Sequence, residues 1–296
     1  MTAKARVLVT GGRGFIGREC LAPLAAAGFE IVAVTRARGP AAVPAVIWET
    51  ADLLAPGVAQ TLVERHRPTH LLHLAWYTKS PDYWNAACND DWARCSIELC
   101  RAFIATGGRR IVAAGTCAEY AWLGERCREA STPLRPATYY GSMKLRALTA
   151  IAALARDANV PCAWARPFFA YGPGEEPGKL LSSTARKLRA GEPVALSQPQ
   201  RRLDFVHVDD IAEALVALVD CAADGPRNVG TGNGVSILEA VEALGAALGV
   251  SPRIEYADGP QERDVVADTG RLSEVLAWQP RSIVAGVQSL IEGYVQ

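Results

Sequence analysis

The chain has 296 residues, and its 31 lysines and arginines balance its 31 aspartates and glutamates. A net charge of zero argues against a nucleic-acid-binding protein and against a polybasic membrane-surface protein, because both usually carry a basic excess. Half of the residues are hydrophobic, which excludes a disordered chain. The length allows about two domains.

The amino terminus, the cysteines and the histidines indicate the compartment. The first residues lead directly into a strand pattern, without the apolar region and cleavage site of a secretory signal. No stretch approaches the roughly 18 apolar residues of a membrane span. The eight cysteines are scattered, and the four histidines lack metal-ligand spacing. We therefore expect a cytoplasmic protein with reduced thiols and no metal, nucleic-acid or membrane partner.

Strand and helix patterns alternate along the first half of the chain. Short apolar runs predict strands at residues 7–9, 30–34, 46–48, 70–74, 110–114 and 162–165. Helical spacing of apolar residues predicts helices at 15–27, 92–105 and 140–158. This alternation is typical of βαβ units with right-handed crossovers, so the sequence predicts an α/β fold with a doubly wound parallel sheet.

The pattern changes after Pro167. Later helical patterns lie at residues 180–190, 211–219 and 236–248. Ser236 and Glu239 have the spacing of a capping box at the start of the last of these helices. We expect residues 1–166 to form the sheet domain. Residues 167–296 should form mainly a smaller mixed α/β substrate lobe, from which some segments return to the sheet.

Three glycines, Gly11, Gly14 and Gly17, separate the first strand from the first helix. They permit a tight turn, the approach of backbone N–H groups to a pyrophosphate at the positive helix end, and close packing of helix on strand. A glycine-rich turn without a ligand is the alternative. The position between strand and helix favours a dinucleotide site in a Rossmann-type doubly wound parallel sheet. The other predicted contacts in this loop are Arg13, Phe15 and Ile16.

The end of the second strand bears on the choice between NAD and NADP. An acid there would bind the ribose 2′-hydroxyl, whereas an arginine would receive the 2′-phosphate. Residues 34–38 read Val-Thr-Arg-Ala-Arg and contain no acid. This favours NADP(H), with NAD(H) as the alternative, although arginines here are also typical of ordinary surface charge. Arg36 would bind the phosphate with help from Arg13 or Arg38, and Asp52 is placed to meet the adenine edge.

Tyr140 and Lys144 lie four residues apart at the start of a predicted helix, so they share one face of it. The ammonium lowers the pKa of the phenol, and Tyr140 can then donate or accept a proton at a carbonyl or an alcohol. Lys144 can also hold a ribose hydroxyl of the cofactor. This spacing is common by chance, but its place after a glycine loop and five strands favours a catalytic pair.

The combined motifs resemble those of the extended short-chain dehydrogenases/reductases, in the NAD-dependent epimerase/dehydratase branch that acts on nucleotide sugars. The resemblance covers nearly the whole chain and begins with the glycine loop and the Tyr140/Lys144 pair. The further matching motifs are Asp52-Leu53, His73-Leu74-Ala75, Ala114-Gly115-Thr116 with Tyr120, Arg166-Pro167, Tyr171-Gly172-Pro173, Asp204 to Asp210, and Asn228 to Gly232.

The resemblance implies a role for each matching residue. Thr116 would hydrogen-bond the reacting oxygen, with Tyr140 as the acid/base and Lys144 as its electrostatic support. Further cofactor contacts would be Leu53, Leu74, Ala75 and Pro167. Thr116 would also contact the substrate, and Arg263 would bind the substrate diphosphate together with Arg202 or the adjacent Arg201. Two further substrate contacts are predicted outside the matching motifs: Phe169, where many relatives carry an asparagine, and Tyr77, whose loop is equally typical of an ordinary aromatic surface turn. The family also implies a homodimer through helices near 92–105 and 140–155.

The residues after Thr116 bear on the reaction. Dehydratases of this family have two acids where this chain has Cys117 and Ala118, so dehydration is disfavoured. We interpret Cys117 as a structural residue, and Glu119 as either a polar substrate contact or an exposed loop acid. An epimerase recycles bound NAD⁺, whereas a reductase draws on NADPH, so Arg36 favours a reductase.

The sequence thus predicts an NADPH-dependent reductase of a 4-keto (deoxy)sugar nucleotide, with hydride from the nicotinamide and a proton from Tyr140. A nucleotide-sugar 4-epimerase with bound NAD is the first alternative. A reductase of non-sugar ketones shares the cofactor motifs. A non-catalytic NADP(H)-binding sensor or scaffold protein is the alternative of another class.

Overall fold

The computed structural model describes residues 5–37 and 45–292. The strands are β1 (Arg6–Thr10), β2 (Glu30–Thr35), β3 (Val46–Thr50), β4 (His70–His73), β5 (Arg110–Ala114), β6 (Arg126–Cys127), β7 (Cys162–Pro167), β8 (Phe169–Tyr171), β9 (Val194–Leu196), β10 (Arg202–Leu203), β11 (Phe205–His207), β12 (Gly225–Val229), β13 (Val235–Ser236), β14 (Ile254–Tyr256) and β15 (Val266–Ala267). The helices are α1 (Gly17–Ala26), α2 (Val58–His66), α3 (Asn89–Ala105), α4 (Tyr139–Asp157), α5 (Leu180–Arg189), α6 (Val208–Val219), α7 (Ile237–Leu248), α8 (Gly270–Ser273) and α9 (Ile283–Glu292).

Seven parallel strands form the central sheet in the order β12-β7-β5-β4-β1-β2-β3. The chain winds outward from β1 in both directions, which confirms the predicted Rossmann-type doubly wound parallel sheet. The direction of winding reverses between β1 and β4. The carboxyl ends of these two strands therefore flank the crevice where sheets of this type bind ligands.

Helices cover both faces of the sheet, which explains why its strands read as continuous apolar runs. Side chains alternate between the faces along each strand. Val7 and Val9 therefore pack in one core cluster with α1 and α6, whereas Leu8 packs in another cluster with α2, α3 and α4. This layering places α4, which carries Tyr140, on the same face as α3.

Several helix boundaries differ from the predicted ones for local reasons. The unpredicted α2 has a mostly polar sequence and begins after Gly57, which has a φ of +76° and provides no side-chain cap. The start of α3 lies at Asn89, whose amide donates to the Tyr83 and Ala86 carbonyls and so extends the helix beyond the predicted start. The capping box of Ser236 with Glu239 at α7 is confirmed.

The later part of the chain forms short two-stranded sheets and also returns to the central sheet. The short pairs are β8 with β11, β9 with β14, β10 with β13, and β6 with β15. In contrast, β12 joins the edge of the central sheet beside β7. Among the residues in 5–37 and 45–292, no helix is long and apolar enough to cross a membrane.

Candidate active site

The glycine loop forms a close-packed turn at the carboxyl end of β1. Gly11 has a φ of +72°, and a Cβ atom there would lie 2.9 Å from the backbone nitrogen of Ala75. A Cβ atom at Gly17 would lie 2.1 Å from the Gly11 carbonyl oxygen, and the Gly14 N–H donates to that oxygen at 2.8 Å. Side chains would fill this turn, so the cradle fits a group that approaches the backbone closely, such as a pyrophosphate.

The other predicted residues of this loop surround the turn. Ile16 occupies the position before α1, and the Phe15 ring centroid lies 5.8 Å from the guanidinium carbon of Arg18. Arg13 is exposed. These residues line the approach to the amino end of α1, where the helix dipole favours negative charge.

A buried hydrogen-bonded chain, which the sequence analysis missed, fixes the end of β4 beside the glycine loop. The Thr10 hydroxyl accepts the Leu74 and Ala75 N–H groups at 3.1 and 3.2 Å and bonds His73 Nδ1 at 2.7 Å. His73 Nε2 lies 2.7 Å from the Ser96 hydroxyl. Burial, with a contribution from Lys144, lowers the pKa of His73 to about 3 and keeps its imidazole neutral. Leu74 and Ala75 are thereby held against Gly11.

The residues predicted to select the cofactor lie at the ends of β2 and β3. Arg36 is exposed directly after β2. Asp52 is also exposed, and its carboxylate accepts the Leu54 N–H at 3.1 Å in a local turn, while Leu53 is buried. Arg38, the third predicted phosphate contact, lies outside the described residues.

The structure brings the three predicted catalytic residues together. Tyr140 is only 8% exposed in the first turn of α4, and Lys144 lies one turn further along. Burial raises the pKa of Tyr140, whereas a hydrogen bond from the Thr116 side chain lowers it. Burial lowers the pKa of Lys144 to about 7, while the charge of Glu119 acts in the opposite direction. The adjacent Tyr139 is 38% exposed and lies outside this cluster.

Aromatic rings enclose Tyr140, and sequence analysis did not identify them as a group. Trp76, Tyr83 and Trp84 each meet the Tyr140 ring edge-on, at centroid distances of 6.3, 5.1 and 5.9 Å. The Lys144 ammonium lies 3.9 Å from the centroid of the Trp76 ring. The predicted substrate contact Tyr77 is half-buried against the same cluster. These rings exclude water from the phenol and from the ammonium.

Both interpretations of Glu119 were wrong, since it is neither an exposed loop acid nor a substrate contact. It is fully buried, and its carboxylate accepts hydrogen bonds from the Thr116 N–H at 2.9 Å and from Arg166 Nε at 2.7 Å. The short 3₁₀ turn Cys117–Glu119 begins with a capping box that turns this side chain inward. Cys117 is also buried.

The guanidinium of Arg202, a predicted substrate contact, has protein partners. Its guanidinium donates to the Gly234 carbonyl at 3.0 and 2.6 Å and lies 3.5 Å from Glu239. The guanidinium of Arg201, the residue before β10, lies elsewhere, over the Trp122 ring. Its side chain is only 11% exposed, and its guanidinium carbon lies 5.6 Å from the Trp122 ring centroid.

One guanidinium nitrogen of Arg201 makes no hydrogen bond to any described residue and could bind a ligand. Its Nε donates to the Arg263 carbonyl at 2.9 Å, and its Nη1 pairs with Glu262. Its Nη2 is buried and has no hydrogen-bond partner within the described part of the chain. Trp122, beneath the guanidinium, donates its indole N–H to the carbonyl of Cys117 at 3.0 Å, so Arg201 lies on the Thr116 side of the lobe.

The remaining predicted contacts lie around the same region. The Phe169 ring is half-buried, 6.2 Å from the Trp122 ring, and Pro167 is buried at the end of β7. Arg263 is exposed, and its side-chain stem passes close to Gly124. Nearby, an open cavity of about 430 Å³ has a lining that includes Gly124, Arg126, Arg202, Gly234, Asp264 and Val266.

Comparisons with known proteins agree on one family. A model described as the NAD dependent epimerase/dehydratase family matches residues 7–230. The dTDP-6-deoxy-L-talose 4-dehydrogenase (NAD(P)(+)) of Kitasatospora kifunensis is 32% identical, over 95% of this chain and 92% of that protein. A UDP-glucose 4-epimerase of Rhizobium meliloti (strain 1021) is 25% identical, over 95% of this chain and 94% of that protein. The solved structure of MoeE5 in complex with UDP-glucuronic acid and NAD has a TM-score of 0.86 and 27% identity, covering 98% of this chain and 99% of its own.

Proposed function

The chain belongs to the NAD-dependent epimerase/dehydratase family, and on this premise we propose that it is an NADPH-dependent reductase of a 4-keto (deoxy)sugar nucleotide. The observation that carries the choice of a reductase is the exposed Arg36 directly after β2, in a segment without an acid. A reductase consumes a fresh reduced cofactor in each turnover. An arginine at this position favours the phosphorylated dinucleotide, which the cell keeps largely reduced.

The proposed mechanism uses the cluster around Tyr140. The Thr116 hydroxyl orients the ketone oxygen, and the Tyr140 phenol donates a proton to that oxygen as its negative charge develops. The Lys144 ammonium stabilises the phenolate that remains. The bound dinucleotide supplies the hydride. The aromatic rings around Tyr140 strengthen each of these interactions because they keep water away.

Single-turnover NADPH oxidation with 4-keto-6-deoxy sugars linked to dTDP, UDP, GDP or CDP tests the proposal. We expect loss of NADPH absorbance with at least one of these substrates and formation of the 4-hydroxy sugar. A second candidate, a 4-epimerase, is supported by the similarity to the R. meliloti UDP-glucose 4-epimerase. Absence of NADPH oxidation, together with interconversion of 4-epimers by protein that carries NAD⁺, would replace the first candidate with the second.

Replacing Arg36 with Ala should lower the preference for NADPH over NADH by about 10- to 100-fold. A hydrogen-bonded charge contributes about 1.5–3 kcal/mol, and only NADPH has the phosphate that Arg36 would bind. The measurement is kcat/KM for both dinucleotides at a saturating ketosugar concentration. The value for NADH is the internal control and should stay within a few-fold of that of the unmodified protein. An unchanged ratio would remove the basis for choosing a reductase.

We further propose that Arg201, rather than Arg202, binds the substrate diphosphate. Replacing Arg201 with Ala should raise KM for the ketosugar nucleotide by about 10- to 100-fold, because its unpartnered Nη2 would bind a phosphate oxygen. Arg202→Ala is the matched control, with an expected change below about threefold, because the Arg202 guanidinium already binds the Gly234 carbonyl. A larger effect at Arg202 would reverse this assignment.

The predicted homodimer and cytoplasmic location remain part of the proposal. Helices α3 and α4 pack against each other on one face of the sheet. Exposed residues on their outer sides include Arg94, Arg101 and Thr149. A second copy of the chain would cover these outer sides and complete a four-helix bundle.

A further inference from the structure

Glu119 links the groups around Tyr140, although the proposed mechanism does not use it. Its Oε1 atom accepts both the Thr116 N–H and the Trp164 indole N–H at 2.9 Å. A Cβ atom at Gly115 would lie 2.5 Å from that same Oε1 atom. The chain can therefore reach Thr116 beside this carboxylate only with a glycine at position 115.

The turn that Glu119 closes also supports the first turn of α4. The Ala118 carbonyl lies so close to this helix that a Cβ atom at Gly141 would be 2.4 Å from its oxygen. Gly141 directly follows Tyr140, and the side chain of Thr116, at the start of the turn, is close enough to the phenol to lower its pKa. A change in the orientation of the turn would therefore move Thr116 and Tyr140 relative to each other.

Glu119 is also the carboxylate that acts on Lys144. The groups that face this ammonium are His73 from β4, the Trp76 ring from the following loop, the Ala114 carbonyl from β5, Tyr140 from α4 and Glu119 from the turn. His73 is neutral, and the Ala114 carbonyl accepts a hydrogen bond from Nζ at 2.7 Å. The negative charge of Glu119 thus opposes the loss of the Lys144 proton that burial promotes.

We propose that Glu119 is a positioning residue of this site, whose carboxylate fixes Thr116 against Tyr140 and whose negative charge favours the ammonium form of Lys144. This inference rests on the proposed function, because a ketoreductase needs both the oriented hydroxyl and the ammonium. Glu119 acts entirely through these neighbours, because it is fully buried and its carboxylate is occupied by Thr116, Trp164 and Arg166.

The test is the pH profile of kcat in Glu119→Gln, which keeps an oxygen acceptor for Thr116 but removes the charge. In the proposed mechanism, kcat should fall on the alkaline limb of this profile as Lys144 loses its proton, since burial lowers the pKa of Lys144 to about 7. Removal of a nearby opposite charge should move this limb to lower pH by about one unit. Glu119→Gln leaves the buried Arg166 without its counter-ion. The pH profile of kcat is therefore also measured in the double variant Glu119→Gln/Arg166→Met, which has no unpaired buried charge at this position. Trp164→Phe removes one hydrogen bond to Glu119 but no charge, so the pH at which its kcat falls on the alkaline side should not change.

Movement of the limb in both Glu119 variants, but not in Trp164→Phe, supports the inference. A limb that stays within about 0.3 pH unit in folded Glu119 variants overturns it, since one unit is the expected effect. If the unmodified protein reduces no ketosugar, the proposed function fails, and the pH dependence of unfolding then tests the charge on Lys144. The chain with Lys144 should become more stable relative to its Lys144→Met variant as the pH rises through the folded-state pKa of Lys144. This rise should begin about one pH unit lower in the Glu119→Gln/Arg166→Met background than in the unmodified background. If this rise begins at the same pH in the unmodified and double-variant backgrounds, the inference is overturned, and this result does not depend on enzyme activity.

Discussion

Replacing Tyr140 with Phe should lower kcat for ketosugar reduction by about 10²- to 10⁴-fold, which is the usual contribution of a positioned proton donor. The substitution removes only the hydroxyl that Thr116 bonds. The ring, which packs edge-on against Trp76, Tyr83 and Trp84, is retained. We therefore expect a folded protein that binds the dinucleotide with an affinity within a few-fold of the original.

The measurement is single-turnover reduction, with dinucleotide binding followed separately by fluorescence titration. Tyr139→Phe is the matched control, because Tyr139 is the adjacent residue and is 38% exposed. It should retain kcat within about twofold, as exposed positions usually do. Retention of turnover in Tyr140→Phe would transfer the proton donor to another group. Equal losses in both variants would indicate a structural effect on α4 rather than the loss of a proton donor.

The sheet could be predicted because its strands are buried on both faces. Between their terminal residues, β1, β2 and β5 contain only apolar side chains, so the predicted runs coincide with the interiors of the observed strands. In contrast, α2 was not predicted: its apolar residues Val58, Ala59, Leu62 and Val63 have helical spacing, but the helix is only nine residues long and has no side-chain cap. Tertiary packing of Leu62 and Val63 on the sheet stabilises it instead.

The family resemblance placed Thr116 in one site with Tyr140 and Lys144, and the topology explains why these residues meet. Thr116 follows β5, and α4 begins within reach of that edge, so their proximity follows from topology. The direction of individual side chains could not be predicted in the same way. The sequence does not show that Glu119 turns inward, since this depends on the capping box and on Arg166 in β7, 47 residues later.

The choice between Arg201 and Arg202 illustrates the same limit. Adjacent arginines in a sequence are equivalent until the register of the strand is known, and β10 is only two residues long. In the structure, the Arg202 guanidinium lies at the Gly234 carbonyl, whereas that of Arg201, the residue before β10, lies over the Trp122 ring. Short edge strands carry too little periodicity for a sequence pattern to reveal which side chain enters the cleft.

Replacing Arg166 with Met should lower the free energy of unfolding by about 3–5 kcal/mol, which is the typical loss when one partner of a buried ion pair is removed. Arg166 and Glu119 are both fully buried, and Arg166 also donates to the Tyr120 hydroxyl at 2.8 Å. Removal of Arg166 alone leaves the Glu119 carboxylate in an apolar interior without its counter-ion.

The double variant Glu119→Gln/Arg166→Met should recover most of that loss, because neither charge then has to be desolvated. Tyr120 keeps a partner in both variants, since its hydroxyl donates to the Asn228 side chain at 2.8 Å. Denaturant unfolding of the unmodified protein, both single variants and the double variant at neutral pH completes the cycle. We expect the sum of the losses of unfolding free energy in the two single variants to exceed the loss in the double variant. Additive losses would mean that Glu119 and Arg166 contribute independently, and the stability of the Thr116 turn would then depend on packing rather than on their ion pair.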